Sequence, residues 1–203
     1  GRCACILLSQ SGETKDLHRC LQIGRDHDLF MIGVVNVVDS LIARECRCGC
    51  YLNAGREVGV ASTKSFTSQV LVLATIAVWF AQVADGAGGR RVSKRCDMVR
   101  DMRNLSHDAR RALEHTTAAL KADPGIVDMF AGAPSCFLLG KGAGEAVARE
   151  GALKMKEVAY IHAEGYSTSS LKHGPFALLR PGFPVIIFSI GDQHRAKVHN
   201  AFE

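Results

Sequence analysis

One local order occurs twice in this chain: a short apolar run, a turn of small polar residues, then an amphipathic helix. The first copy is Cys3 to Leu8, Ser9-Gln10-Ser11-Gly12-Glu13-Thr14, and a predicted helix from Glu13 to His27. The second is Ser135 to Leu139, Gly140-Lys141-Gly142-Ala143-Gly144-Glu145, and a predicted helix to about Ala159. Apolar runs this short read as buried strands, and strands alternating with helices pair in parallel through crossovers. The expected fold class is therefore α/β with parallel sheets, the second half repeating the first. In such sheets ligands gather at the carboxyl ends of the strands, where both polar turns lie.

The remaining elements fit that plan. Phe30 to Val35 and Cys48 to Leu52 are strand candidates, with a helical turn from Ser40 to Glu45 between them. A loop of small residues, Asn53 to Lys64, leads into a long helix from about Thr63 to Ala84. Its apolar part, Val70 to Ala84, is about fifteen residues. That is short of the roughly 20 a bilayer needs, so it reads as a core helix and no membrane contact is expected. Gly86-Ala87-Gly88-Gly89-Arg90-Arg91 is the best boundary. It gives a first domain at 1–85, a linker with connecting helices at 86–125, and a second domain at 126–203. Met98 to Lys121 has helical spacing, and Asp123-Pro124 opens a further short helix. Pro184 to Ile190 is a later strand, followed by a helix from Gln193.

The first polar turn carries chemistry. A helix N-terminus has N–H groups without intrahelical partners and the positive end of the dipole, so it attracts anions. Ser9, Ser11 and Thr14 add hydroxyl donors, and Gly12 lets the backbone approach a ligand. The same residues also make an ordinary cap with no ligand. The second turn is like a dinucleotide fingerprint, but Glu145 stands at the third glycine position and no acidic ribose partner follows, which argues against a nucleotide. Glu150, Lys154 and Glu157 are spaced to share a helix face. A carboxylate beside a lysine serves as a general base or simply as a solvated ion pair. His173, in Leu171-Lys172-His173-Gly174-Pro175, lies in a loop or at a helix start, where both functional and structural histidines occur.

Charge and cysteine content narrow the classes. The formal charge is +5 and aromatics are 6% of the chain. The basic residues form no stripe with interleaved aromatics, so no nucleic-acid partner is expected, while an anionic small molecule suits the excess. The eight cysteines include Cys46, Cys48 and Cys50, which on one strand would face the same way. Their one-residue gaps do not suit zinc. Reduced thiols in a cytoplasmic setting are expected, with no metal and no cofactor.

Taken together, the motifs resemble the isomerase part of the glutamine–fructose-6-phosphate aminotransferase family, a tandem of two sugar isomerase (SIS) domains. The resemblance rests on Ser9 to Thr14, Gly59-Val60-Ala61-Ser62-Thr63-Lys64, Glu150-Gly151-Ala152-Leu153-Lys154-Met155-Lys156-Glu157, Tyr160-Ile161-His162-Ala163-Glu164-Gly165 and Leu171 to Pro175. The set recurs in family order over almost the whole chain.

The resemblance implies roles by position. Ser9, Gln10, Ser11 and Thr14 match the phosphate-binding loop, and Val60 and Ser62 match sugar contacts. Glu157 matches the base that moves a proton between C1 and C2, and Lys154 a neighbouring active-site lysine. His173 matches the histidine of sugar ring opening, which reaches the pocket from a partner subunit, so a homodimer or higher homo-oligomer is expected. The implied reaction turns fructose 6-phosphate and glutamine into glucosamine 6-phosphate and glutamate, the first step toward UDP-N-acetylglucosamine. The alternative is a non-catalytic SIS module that binds a phosphosugar for regulation. Against the family pattern the glutaminase domain, an earlier sugar loop and the C-terminal lysine tail are absent, Arg56 replaces a proline, and Ser167 to Ser170 replaces a stretch ending Gly-Glu. These 203 residues alone are expected to be inactive as an aminotransferase.

Overall fold

Each half of the chain is built around its own parallel sheet of three strands. The structure, a computed structural model, describes residues 3–85 and 92–201. The predicted boundary at 86–91 lies outside the described residues. The chain divides into two units, Gly1–Ala109 and Arg110–Glu203.

The first unit runs β1 (Ala4–Ser9), α1 (Lys15–Asp26), β2 (Phe30–Val35), α2 (Leu41–Glu45), β3 (Cys48–Tyr51), α3 (Lys64–Asp85) and the first part of α4 (Val92–Ala122). The strands lie in the order β1-β2-β3, with Ser9 opposite Val35 and Val35 opposite Tyr51. Alternation sends Leu7, Met31 and Val35 to one face, where they pack with Leu21 of α1 and Ile42 of α2. Burying each such side chain contributes about 1.5–3 kcal/mol. The pairing is tight at Gly33 and Gly49: a Cβ on Gly49 would lie 2.1 Å from the Gly33 carbonyl oxygen.

Two expectations fail in this unit. Cys46, Cys48 and Cys50 do not face the same way. Cys46 is the C-cap of α2, and its Sγ lies 3.3 Å from where a Gly33 Cβ would stand, on the helix-covered face. Cys48 and Cys50 are in register with Ile32 and Val34, which alternate to the opposite face. The stretch is not one strand, because α2 still holds its first residue. Burial, and after it the neighbouring Cys48, pushes the Cys46 and Cys50 thiols up, which keeps them protonated and poorly nucleophilic at neutral pH. All eight cysteines are free thiols.

The second failure is the core helix. In α3 only Ser65 and Val78 are buried, while Val70, Trp79, Phe80 and Val83 are exposed. Its apolar residues run all around the helix, more than one small unit can cover. The helix has 22 residues, and an 18-residue stretch of it has a mean hydropathy of 1.7, so it is long and apolar enough to cross a bilayer by length and composition. A cavity of about 450 Å³ beside it, lined by Val78, Arg95, Val99 and Arg103, contains none of the predicted site residues.

The second unit continues from α4 through α5 (Pro124–Phe130), β4 (Ser135–Gly140), α6 (Ala143–Lys154), β5 (His162–Ser167), β6 (Val185–Ile187) and α7 (Arg195–His199). Asp123 caps α5 by accepting from the Gly125 N–H at 3.1 Å. The sheet order is β5-β4-β6, all parallel. Cys136 and Leu138 of β4 pack on Ala148 and Ala152 of α6; Phe137 and Leu139 pack on Leu171. That two-sided burial is what a central parallel strand requires. No strand is expected from the residues His162 to Ser167, which include His, Glu, Gly and Ser. Pairing with β4 makes them one, and Ala163 supplies the buried side chain.

Candidate functional site

Ser9 is the last residue of β1 and is buried. Its Oγ accepts from the Gly12 N–H at 2.9 Å and lies 3.3 Å from Thr14 Oγ1. Ser11 Oγ accepts from the Glu13 N–H at 3.2 Å. A hydroxyl that accepts keeps its own proton to donate, so the turn retains donors for a further oxygen. Gly12 turns the chain with φ 69° and presses against Ser40, whose Oγ would lie 1.9 Å from a Gly12 Cβ. The Gly12 carbonyl accepts from the Ile42 N–H at 3.0 Å, and Glu13 Oε1 accepts from the Leu41 N–H at 2.9 Å. The turn is thus fastened to the start of α2.

Thr14 is the N-cap of α1 but makes no side-chain cap bond. The predicted helix start at Glu13 is two residues early, because Ser9 to Thr14 form the turn itself. The first N–H groups of this 12-residue helix therefore have no side-chain acceptor from the cap. Donors at the positive end of a helix, ringed by hydroxyls, attract anions. Gln10 sits half-buried on the same turn.

A second loop leaves the carboxyl edge of the sheet at Leu52, and Asn36 ties it to the first. The Asn36 N–H donates to the Ser9 carbonyl at 3.2 Å. Its side chain accepts from the Ala54 N–H at 3.0 Å and donates to the Gly55 carbonyl at 2.7 Å. Further along, Glu57 reaches the start of α3. Its Oε1 accepts from the N–H groups of Thr63 at 3.1 Å and Ser65 at 2.9 Å, and its Oε2 from Thr63 Oγ1 at 3.3 Å. Between these anchors Val60 stands fully exposed and Ser62 half-buried. Hydrogen bonds from Ser65, then those from Thr63, hold the Glu57 carboxyl well down, at about 2.

That shift makes a pH prediction. The folded value lies below the ordinary 4.5, so the linked stability is present above about 4.5 and is lost as pH falls through about 2. The Thr63 and Ser65 amide resonances should move in that window when the chain is titrated with acid. Amides that stay fixed from neutral pH down to about 2 would contradict the bonding geometry.

In the second unit, Lys154 ends α6 and the chain continues as a π turn, Met155–Ala159, where an unbroken α-helix is predicted. The turn closes on Tyr160 in the left-handed region at φ 56°, and the Ile161 N–H donates to the Met155 carbonyl. π turns are rare and recur at functional sites. Here the turn carries Glu157. Lys154 Nζ lies 2.5 Å from Glu157 Oε2 and 3.5 Å from Glu150 Oε1. Partial burial opposes the charge on Lys154, but the hydrogen bond and charge of Glu157, then of Glu150, outweigh it and hold the ammonium above its usual range. The site pair is about one-quarter to one-third exposed, open to a ligand.

His173 ends a 3₁₀ turn, Ser170–His173, and is exposed; Gly174 at φ 138° and Pro175 follow it. Among the described residues its side chain makes no hydrogen bond or ion pair. The structure thus joins Ser9, Gly12 and Thr14, and separately Lys154 with Glu150 and Glu157, and leaves His173 without a polar partner. In the second polar turn, Gly142 is the N-cap of α6 at φ 59°, and Lys141 Nζ donates to Ser169 Oγ at 2.5 Å. Among the described residues no cluster of His, Cys, Asp and Glu is arranged to hold a metal. The sequence reading gives Asn36 and Glu57 no role in the site. Glu57 lies six residues before Thr63, outside the three-residue spacing of a capping box, and so gives no local signal.

Comparison with known proteins follows the same outline. The family model described as SIS domain matches residues 3–79 and 129–203. A protein of Acanthamoeba polyphaga mimivirus named "probable glutamine–fructose-6-phosphate aminotransferase [isomerizing]" is 44% identical over 97% of this chain and 31% of its own length. The aminotransferase of that name from Chlorobaculum tepidum is 39% identical, over 98% of this chain and 31% of its own. The chain spans about 30% of the curated relatives it matches. The solved C-terminal domain of glucosamine–fructose-6-phosphate aminotransferase from Francisella tularensis superposes with a TM-score of 0.83 at 32% identity, covering 97% of this chain and 54% of that one.

Proposed function

The chain belongs to the SIS domain family, and on that premise we propose that it is the sugar-phosphate isomerase part of a glutamine–fructose-6-phosphate aminotransferase. The relatives' names support the family of reaction. The observation that carries the reading is the Lys154–Glu157 pair seated in a π turn, since a protein that only binds a sugar phosphate needs no positioned base.

The resemblance to the family supports the following division of work. The phosphate of fructose 6-phosphate takes the N-terminus of α1, receiving hydrogen bonds from Ser9, Ser11, Thr14 and the backbone, with Gln10 beside it. Val60 and Ser62 face the sugar from the second loop. With the ring open, the Glu157 carboxylate removes a proton from C1. The C–H electrons form the C1–C2 double bond, and the C2 carbonyl electrons take up a proton at oxygen. The proton on Glu157 then returns at C2 while the C1 hydroxyl gives up its proton and becomes the carbonyl, giving the aldose form; over both steps one proton passes from O1 to O2. Lys154, a stable cation, offsets the negative charge that develops beside the base. His173 opens the ring by moving a proton between the ring oxygen and the anomeric hydroxyl, acting from a second copy of the chain. In the whole protein ammonia from glutamine first condenses with the C2 carbonyl and water leaves, so that the same proton shift runs on the C2 imine and gives glucosamine 6-phosphate.

The first test is binding. Glucosamine 6-phosphate at 100 times its Kd should stabilise the chain by about 2.7 kcal/mol, seen as a raised melting temperature. No shift at millimolar sugar phosphate, in a sample with native far-UV and near-UV spectra, would remove the site from consideration.

A further inference from the structure

We infer that Glu57 is a positioning residue: its carboxylate clamps the loop carrying Val60 and Ser62 onto the start of α3 and thereby sets where that loop meets the sugar. The role in sugar placement rests on the reading proposed above. The clamp itself rests on geometry alone.

The segment between Leu52 and Lys64 has no helix or strand of its own. Val58 and Val60 are almost wholly exposed, so side-chain packing does not hold its tip. A free loop of this kind samples many conformations, and ordering it on ligand binding costs affinity. Hydrogen bonds hold it instead. Asn36 grips Ala54 and Gly55, Lys64 Nζ donates to the Arg56 carbonyl at 2.8 Å, and Glu57 takes three bonds from Thr63 and Ser65. Glu57 makes the crossing bond: it joins the near end of the tip to the far end, closing Val58 to Ser62 into a short ring. Those bonds are charge-assisted and so among the stronger ones available to an exposed loop.

The same carboxylate has a second effect. It occupies the N-terminus of α3, the position where a phosphate would otherwise bind. Of the two long helices that start at the carboxyl edge of this sheet, α1 has no side-chain cap and α3 is taken by the chain's own anion. A sugar phosphate therefore has one phosphate end and one sugar end to choose from. Glu57 fixes the orientation as well as the loop.

The test compares the 203-residue chain with its Glu57→Ala and Glu57→Gln variants. Amide hydrogen exchange needs no ligand. In Glu57→Ala, Thr63 and Ser65 should lose protection by about tenfold or more, while α1 amides are unchanged. Glu57→Gln keeps an oxygen for the two N–H groups and should recover part of it. Unaltered exchange at both positions in Glu57→Ala overturns the clamp. Titration with glucosamine 6-phosphate is the second arm, with about tenfold weaker binding expected for Glu57→Ala and partial rescue by Gln. Equal affinity in the presence of lost protection overturns the positioning role. A wild-type chain that binds no sugar phosphate, with the amides still responding to Glu57→Ala, upholds the clamp and removes the sugar-phosphate reading instead.

Discussion

Glu157→Gln should, under the proposed function, lower kcat for fructose 6-phosphate isomerisation by about 10²–10⁴-fold with little change in sugar-phosphate affinity, measured in a full-length protein that contains this stretch. Glutamine keeps the shape of the side chain and can still bond to Lys154, now 2.5 Å from the carboxylate oxygen. It cannot accept the C1 proton. Loss of rate without loss of binding is the signature of an interaction used only in the transition state. Wild-type rates in the Gln variant would move the base elsewhere. The same substitution also tests His173. If His173 serves the pocket of a second copy, mixing Glu157→Gln with His173→Ala protein should restore part of the activity, since each mixed dimer then contains one pocket with both groups intact. Failure of the mixture, once subunit exchange is demonstrated, would place both groups in one chain's pocket.

Gly12→Ala should destabilise the first unit by about 2–5 kcal/mol, in urea unfolding. Two costs combine. The residue sits at φ 69°, where an L side chain costs about 1–2 kcal/mol. The new methyl would also lie 1.9 Å from Ser40 Oγ and 2.4 Å from Ser40 Cβ, and overpacking a closed site typically adds about 1–3 kcal/mol. Ser40 is itself buried, so it has little room to retreat. The double variant Gly12→Ala with Ser40→Gly separates the two costs: it should recover the packing share and retain the dihedral one. A single variant as stable as the parent would mean that the turn rearranges freely, which would count against the proposed anion site, since that site needs fixed N–H directions.

What the sequence made legible was local. Ser9 to Thr14 is polar, small and placed between an apolar run and an amphipathic one, so the strand-turn-helix reading needs no tertiary information. The same holds for Phe30–Val35 and for Pro124–Phe130, which appear with the predicted bounds or start. The misses share a different cause. β5 is a strand because β4 lies beside it, and its own residues argue weakly for one. The exposure of α3 depends on how much surface the unit can spread over it, a quantity absent from hydropathy. Cys46 faces away from Cys48 because α2 ends on it, and a one-residue helix boundary is below the resolution of periodicity. In the site, the Glu150, Lys154 and Glu157 spacing was visible, but the π winding that presents Glu157 was not. Asn36 and Glu57 were invisible altogether, since their bonds span 18 and 19 residues in one case and skip the usual capping interval in the other.

The π turn at Met155–Ala159 also bears on how this stretch can change in length. A π turn is an α-helix holding one residue more than the same span requires. It is therefore a reservoir of slack between α6 and β5. Loss of one residue there can be absorbed by rewinding to an α turn, with β5 keeping its register against β4. Loss of one residue on the β5 side of Tyr160 has no such buffer. It would shift the strand by one position, turning Ala163 out of the core and His162 or Glu164 into it. Two neighbouring single-residue deletions, a few positions apart, thus have opposite fates, and the surplus residue that presents Glu157 also makes its helix tolerant of shortening.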